Sequence, residues 1–348
     1  MKTLASFAGG GRDVPGATAW LIGELGEARG KQELFTRQSP ERLRVLREHA
    51  VVESAVSSNR IEGVEIDPTR VRSVVLGQDK LRDRNEEEVR GYRLALKLIH
   101  EDAPALAVDE GTVRRLHALA RGDVWDAGQY KARDADIIER YPDGRSRVRF
   151  RTVSAAATPE FMAALTEHWQ KAIEERWTPP LIALAAFNLD FLCIHPFRDG
   201  NGRASRLLML LQCYLLGFEV GRYISLERLI EENTVRYYET LEQSSQGWHE
   251  GRHDPWPYVN FVLSTLKTAY RELEQRVGDV AAPRGAKAER VEAAVARMEG
   301  RFQVADVQAA CPGVSVDTIR RVLARLQKEG RVECLGRGRT ASWRKTRT

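Results

Sequence analysis

Apolar residues recur three and four positions apart through most of the first 280 residues, a spacing that predicts a chain built mainly of helices. In "PERLRVLREHAVVESAVSSNRIEG", Leu43, Leu46, Ala50, Val52, Ala55, Val56 and Ile61 keep the helical period and Gly63 ends it, so one helix with a glycine C-cap is expected there. "RNEEEVRGYRLALKLI" and "DEGTVRRLHALA" predict two more amphipathic helices. Between residues 132 and 153 the period changes, and short β-branched runs flank Tyr141-Pro142-Asp143-Gly144, the pattern of a hairpin about a Pro-Asp-Gly turn. The helical period returns over Pro159–Ala172, Pro179–Cys193, Gly202–Leu216, Ser225–Gln243 and Trp256–Arg276, with Thr178 as an N-cap and Pro179 in a first turn.

"GDVAAPRGAKAER", Gly278 to Arg290, is rich in Gly, Ala and Pro and reads as a linker, placed at 278–287. After it come a helix ("AERVEAAVARM"), a second helix ("VADVQAA"), a turn at Cys311-Pro312-Gly313, a third helix from Ser315 to Lys328 and a hairpin in "RVECLGRGRTASWRK". That order is the order of a winged helix-turn-helix over 288–348, with Ser315 as N-cap and Gly336 to Gly338 at the wing tip. Charge follows the same division. Residues 284–348 hold 15 Lys and Arg against 7 Asp and Glu, whereas the preceding 283 hold 39 against 42. A basic terminal module with its own, anionic partner is one consequence.

The apolar stretches Leu181 to Phe187 and Leu207 to Leu216 are interrupted or flanked by Asn188, Asp190 and Gln212 and are too short to span a bilayer, so both are expected as core helices, with no membrane association. "MKTLASFAGGG" is a poor match to a secretory signal, and a cytoplasmic protein is expected. Cys193, Cys213, Cys311 and Cys334 lack metal-ligand spacing, and a reduced, partly buried state is expected for them. "HEGRH", His249 to His253, has the lettering of a zinc-protease helix. Gly247, Gly251, Pro255 and Pro257 crowd it, however, and a loop is expected instead.

The densest chemistry lies in "HPFRDGNGRASR", His195 to Arg206. Asn201-Gly202 alone would suggest a two-residue hairpin turn, but the following Arg, Ala, Leu and Met residues favour helix. Gly200 and Gly202 therefore form a loop feeding a helix N-terminus, where free N–H groups and the helix dipole attract anions. Arg203 and Arg206, three apart, share one helix face and can reach one polyphosphate. Asp199 suits Mg²⁺, which commonly pairs a carboxylate with substrate phosphates. His195 suits proton removal from a hydroxyl at neutral pH.

His195, Phe197, Asp199, Gly200, Asn201, Gly202, Arg203 and Arg206 match all eight fixed positions of the H-x-F-x-[DE]-G-N-G-R-x-x-R signature, and the chain on this ground resembles the Fic domain family. The resemblance implies a mainly α fold, a Fic-type helical bundle with a β-hairpin flap over residues 80–277, behind an N-terminal helical region at 1–79. It implies an adenylyltransferase that moves AMP from ATP, with Mg²⁺, to a Tyr, Thr or Ser hydroxyl of a protein. His195 is then the base, Asp199 the metal ligand, Gly200 and Gly202 the anion cradle, Asn201 and Arg203 the α/β-phosphate contacts and Arg206 the γ-phosphate contact. The hairpin at Ile137 and Ile138 resembles the flap that holds the target, and Tyr237 and Tyr238 stand where the family places an adenine-contacting helix. "SNRIEG", with Ser58, Glu62 and Gly63, is similar to the family's [ST]-x-x-x-E-[GN] inhibitory motif. Its partner is expected to be Arg206. A protein substrate follows, with self-modification as a readout and a homodimer left open. Two other readings stand beside transfer: AMP removal using Glu62, and a regulator whose tail binds DNA through Arg320, Arg321 and Arg325 with Arg337, Arg339, Arg344 and Lys345 on phosphates. For the tail, DNA binding and a protein-interaction role stay equally open.

Overall fold

The structure, a computed structural model, describes residues 2–36, 40–77, 80–140, 143–281, 286–298, 300–311, 314–336 and 341–346. They form two compact units, Met1–Leu273 and Glu274–Thr348. The first opens on a 3-10 turn, Leu4–Gly10, and continues through α1 (Gly16–Thr36), α2 (Pro40–Ile61), α3 (Val71–Leu76), α4 (Arg84–Asp102) and α5 (Glu110–Arg121). Strands β1 (Ile137–Arg140) and β2 (Ser146–Phe150) make an antiparallel hairpin. Helices α6 (Thr158–Glu174), α7 (Pro180–Ile194), α8 (Asn201–Leu215), α9 (Leu226–Glu232) and α10 (Thr234–Ser245) follow, and α11 (Trp256–Ala281) starts in the first unit and ends in the second. No described helix is long and apolar enough to cross a membrane.

The core is built on α7. Every residue from Leu181 to Ile194 is buried, and α6 and α8 both pack against it. A helix apolar all round belongs in the centre of a bundle, and its few polar side chains must find partners there. Asn188 Nδ2 donates to the Ser205 carbonyl at 2.8 Å, and its Oδ1 accepts from Tyr258. The Asp190 carboxylate takes the Thr3 and Leu4 N–H groups at 3.0 and 2.9 Å and the Trp248 indole N–H at 2.6 Å. The polar breaks in this apolar run are thus the points that fasten the N-terminal segment and the turn before α11 to the central helix.

Several local expectations are corrected. Thr178 is not the N-cap of α7: Pro179 holds that position and Pro180 opens the helix. The helix expected over Ser225–Gln243 is two, divided at Asn233, whose Nδ2 donates to the Leu229 carbonyl and whose own carbonyl receives the Tyr237 N–H. Ser225 caps α9 through its hydroxyl. The His249–His253 stretch is turns and loop, with His249 Nε2 paired with the Arg151 carbonyl and His253 Nε2 with Thr3 Oγ1. Helix α1 went unread because Gly23, Gly26 and Gly30 dilute its period.

The second unit holds α12 (Ala286–Arg297), β3 (Arg301–Gln303), α13 (Val304–Ala310), α14 (Val316–Lys328), β4 (Val332–Cys334) and β5 (Ser342–Lys345). The sheet order is β3-β5-β4, all antiparallel, so the expected hairpin gains a third, three-residue strand. Ser315 caps α14, whose Ile319, Val322, Leu323 and Leu326 join Val291, Phe302 and Val307 in one core. Of the residues placed in the linker, Gly278 to Ala281 are helical and Ala286 and Lys287 open α12, while 282–285 lie outside the described residues. Tyr141 and Pro142 of the flap turn, Pro312 and Gly313 of the tail turn, and residues 337–340 of the wing tip also lie outside them.

Asp190→Ala leaves three buried N–H donors without an acceptor, which costs about 3 kcal/mol or more. Urea unfolding should show that loss, and Asp190→Asn, which keeps an acceptor oxygen, should lose less.

Candidate active site

The site is the six-residue reversal between α7 and α8. His195 ends α7 in the left-handed region, φ 52° and ψ 62°, with its N–H on the Phe191 carbonyl. A side chain held there is strained, and such strain is concentrated at functional positions. Lys131 stabilises the turn: its N–H donates to the Pro196 carbonyl at 2.9 Å and its Nζ to the Ile194 carbonyl at 3.1 Å, a cation at the negative end of α7. Burial pulls Lys131 down to about 8, against the pull of Asp134 and Asp136.

Asn201 closes the other side of the loop. Its Oδ1 accepts the Phe197 N–H at 2.9 Å and its Nδ2 donates to the Phe197 carbonyl at 2.8 Å, so both amide atoms of this expected phosphate contact are engaged in the loop. Phe197 is buried and stacks on His117 with ring centroids 3.6 Å apart and planes 4° from parallel. His117 Nδ1 accepts the Gly128 N–H at 2.9 Å, so Nε2 carries the hydrogen and donates to the Asp199 carbonyl at 2.8 Å. Gly200, φ 81°, caps α8 without a side-chain oxygen, and a Cβ there would stand 2.7 Å from Arg121 Cδ.

The first turn of α8 is occupied from α2. Gly63, φ 76°, ends α2: the Gly63 N–H reaches the Arg60 carbonyl and the Val64 N–H the Asn59 carbonyl, the paired bonds of a Schellman turn. This aims the last turn of α2 at α8. Arg206 Nε donates to Ser58 Oγ at 2.8 Å, and Arg206 Nη2 donates to the Ser58 carbonyl at 2.9 Å and to Glu62 Oε1 at 2.8 Å. Glu62 Oε1 lies over Gly202 so closely that a Cβ would meet it at 2.1 Å. The carboxylate therefore stands at the positive end of α8, where an anion is favoured. Arg203, 1% exposed, donates from Nη1 to Asn59 Oδ1 at 3.1 Å and to Glu88 Oε2 at 2.6 Å.

Asp199, the expected metal ligand, is 59% exposed and pairs with Arg121 Nη1 at 2.8 Å. Against the desolvation that would raise it, Arg121, Arg203 and the Gly200 N–H hold its carboxyl below the usual range. Burial pushes His195 down to about 4, and Lys131 adds to this while the Leu192 carbonyl, Glu62 and Asp199 oppose it. Burial likewise holds His117 at about 4.

A cavity of about 220 Å³ opens beside the loop, lined by His195, Gly202, Glu62, Ile137, Tyr237 and Tyr238 among others. Tyr237 is buried, and Tyr238 Oη reaches the Ile61 carbonyl at 3.4 Å. The hairpin borders this cavity through Ile137 of β1 and through β2, where Arg149 stacks on Tyr238 and Arg147 pairs with Glu242 of α10 at 2.9 Å. Ile137 pairs with Phe150 and Ile138 with Val148 across a bulge, leaving Ile138 52% exposed.

Sequence reasoning missed Glu88, Arg121, His117, Lys131 and Asn59. Three of these were marked. On α5, Val113, Leu116, His117, Ala120 and Arg121 follow the core period, and on α4, Glu88 directly precedes Val89 on the stripe continued by Tyr92 and Leu96. Polar residues on an apolar stripe are the signal that would have found them.

Residues 107–213 match the Fic/DOC family. The chain is 25% identical over 236 residues, 65% of its length, to a protein adenylyltransferase Fic of Drosophila grimshawi, and 23% identical over 251 residues, 70% of its length, to one of Nematostella vectensis. It covers 44% and 53% of these relatives, and so spans about half the length of the proteins it matches. In fold it is similar to a Fic family protein from Desulfovibrio desulfuricans G20, with TM-score 0.61, 24% identity and coverage of 96% of this chain and 97% of that one. It is similar also to residues 134–508 of Fic-1 from C. elegans, with TM-score 0.61, 18% identity and coverage of 76% and 74%. Residues 107–213, the part of the chain that matches the Fic/DOC family, hold α5, the hairpin, α6, α7, the reversal at His195 and most of α8.

Proposed function

We propose that the protein is an ATP- and Mg²⁺-dependent protein adenylyltransferase of the cytoplasm, held back by the last turn of α2. The observation that carries this reading is the Glu62 carboxylate seated on Gly202 and bound to Arg206, an anion already resting in a site suited to phosphate. Ligand cavities commonly measure about 300–1,000 Å³. The 220 Å³ beside His195 falls short of that range while Glu62 lines it. The relatives named as protein adenylyltransferases support the same chemistry.

In this reading a target segment adds to the β1 edge of the hairpin and brings its hydroxyl to His195. A neutral ring nitrogen of His195 takes the hydroxyl proton as the oxygen attacks the α-phosphorus. The new P–O bond forms in line with the bond to pyrophosphate, which breaks. The N–H groups of the Gly200–Gly202 cradle and Arg203 stabilise charge on the phosphates, Arg206 holds the terminal phosphate, and Tyr237 and Tyr238 flank the base. The described residues hold no cluster of three His, Cys, Asp or Glu side chains suited to a metal. Mg²⁺ nevertheless fits Asp199, because such sites often use one or two carboxylates and complete the set with substrate phosphates and water. When bound, the ion would neutralise phosphate charge and stabilise the leaving pyrophosphate.

We read the second unit as the winged helix-turn-helix. Arg325 pairs with Glu292, Arg344 with Glu333 at 2.7 Å, and Lys345 Nζ with the Ala296 carbonyl at 2.8 Å, which leaves exposed Arg320, Arg321 and Lys328 as cations of α14 offered outward. Arg337 and Arg339 lie outside the described residues.

Glu62→Gly should raise transfer on the order of 10²-fold, because inhibition acts through misplaced phosphates, and should change ATP affinity much less. Label from α-phosphate-labelled ATP should enter the protein itself or a lysate protein, and γ-label should not. Equal labelling by wild type and variant would overturn inhibition by Glu62; removal of AMP from a premodified target by wild type alone would replace transfer with hydrolysis. His195→Ala should lose about 10²-fold or more of transfer while calorimetry still detects ATP.

Ring-proton NMR should place the His117 and His195 midpoints near pH 4. Since the unfolded chain takes up these protons near pH 6.5 and the folded chain only near 4, stability is full above 6.5 and falls between those values. Urea midpoints recorded across that window check the sign.

A further inference from the structure

Asp199 already carries a cation of the protein's own. Its Oδ2 is 2.8 Å from Arg121 Nη1, its Oδ1 accepts the Gly200 N–H at 2.6 Å, and Arg203 Nη2 stands 4.0 Å from Oδ1. The same Arg121 Nη1 donates to Glu88 Oε1 at 2.8 Å, and Arg84 Nη2 also reaches that oxygen at 2.8 Å. Glu88 Oε2 takes Arg203 Nη1 at 2.6 Å. The Arg121 side chain is 7% exposed and lies under Gly200, where no side chain could be accommodated without moving it. One guanidinium is therefore shared between a buried carboxylate and an exposed one.

We propose that Arg121 is the resident counter-cation of Asp199, a positioning residue that keeps the metal-ligand carboxylate aimed until a divalent ion arrives, and then transfers its weight to Glu88. This rests on the reading of Asp199 as the Mg²⁺ ligand. A divalent ion at Asp199 repels the guanidinium, and the acceptor it needs is already in contact, so the handover shifts weight from an existing ion pair to an existing hydrogen bond. Because the ion must displace a paired charge, metal alone binds weakly, whereas metal arriving with nucleotide brings phosphate ligands that offset the displacement. Glu88 sets the balance from the far side. It also ties the handover to α2, since Arg203 is shared between Glu88 and Asn59 of that helix.

Mn²⁺ added alone to the full chain, with free ion read by electron paramagnetic resonance, tests this. Arg121→Gln removes the competing charge and should tighten Mn²⁺ binding several-fold. Glu88→Gln deprives Arg121 and Arg203 of their other acid, commits them to Asp199 and should weaken it several-fold. A purely structural role would move both variants in the same direction, or neither, and that result overturns the proposal. Arg121→Met, which keeps the packing under Gly200, replaces Arg121→Gln if thermal melting shows that the latter does not fold. Asp199→Asn separates the two ideas: unchanged Mn²⁺ binding in it overturns the metal-ligand reading itself, whereas lost binding supports that reading, and the opposite shifts of the Arg121 and Glu88 variants then test the handover.

Discussion

Two buried helices, α7 and α8, are joined by six residues, and the need to reverse the chain in that short space without stranding polar backbone shapes everything near it. Buried N–H and C=O groups must be paired, and here the partners come from outside the loop. Lys131 takes the end of α7, Asn201 holds Phe197, and His117 holds the Asp199 carbonyl. His195 is left in a left-handed conformation that few residues other than glycine adopt readily. The geometry at His195 is thus a by-product of how the chain turns around, and α5 and the loop after it are its supports.

A second constraint is charge. Arg203 and Arg206 are 1% and 2% exposed, and a buried guanidinium is costly unless it is paired. Glu88 answers the first and Glu62 the second. The two acids differ in how they are held. Glu88 lies in the middle of α4, bound by three arginines, and its position is fixed. Glu62 lies on the terminal turn of α2, 27% exposed, with one arginine. The pair that structure requires is built into a helix interior, and the pair that a substrate would replace is placed at a helix end.

How much of this was legible in the sequence depended on the distance between partners. The loop from His195 to Arg206 could be read because the groups it brings together are neighbours along the chain, and Gly63 marked the end of α2 because one residue sufficed for the turn. Glu88, Arg121 and His117 were passed over because the contacts that bring them to the site, His117 with Asp199, Arg121 with Glu88 and Glu88 with Arg203, span 33 to 115 residues and are supplied only by packing. Their placement on apolar stripes was visible; what answered them was not. The break at Asn233 was hidden because its flanks keep the helical period on both sides, and β3 because three residues carry no alternation to read.

The Schellman turn at Gly63 has a kinetic meaning. It secures the last turn of α2 with backbone bonds at its outer end, where helices otherwise fray, while the Arg60–Glu231 ion pair and the contact from Tyr238 hold the same turn from the side. Lifting Glu62 requires opening of that single turn, not undocking of a 22-residue helix. Local openings of this kind cost far less than global unfolding and occur many times within the lifetime of the folded state. On the proposed reading, inhibition is therefore a rapid equilibrium with a small, constant leak. The basal rate of the enzyme would report the stability of one turn of helix.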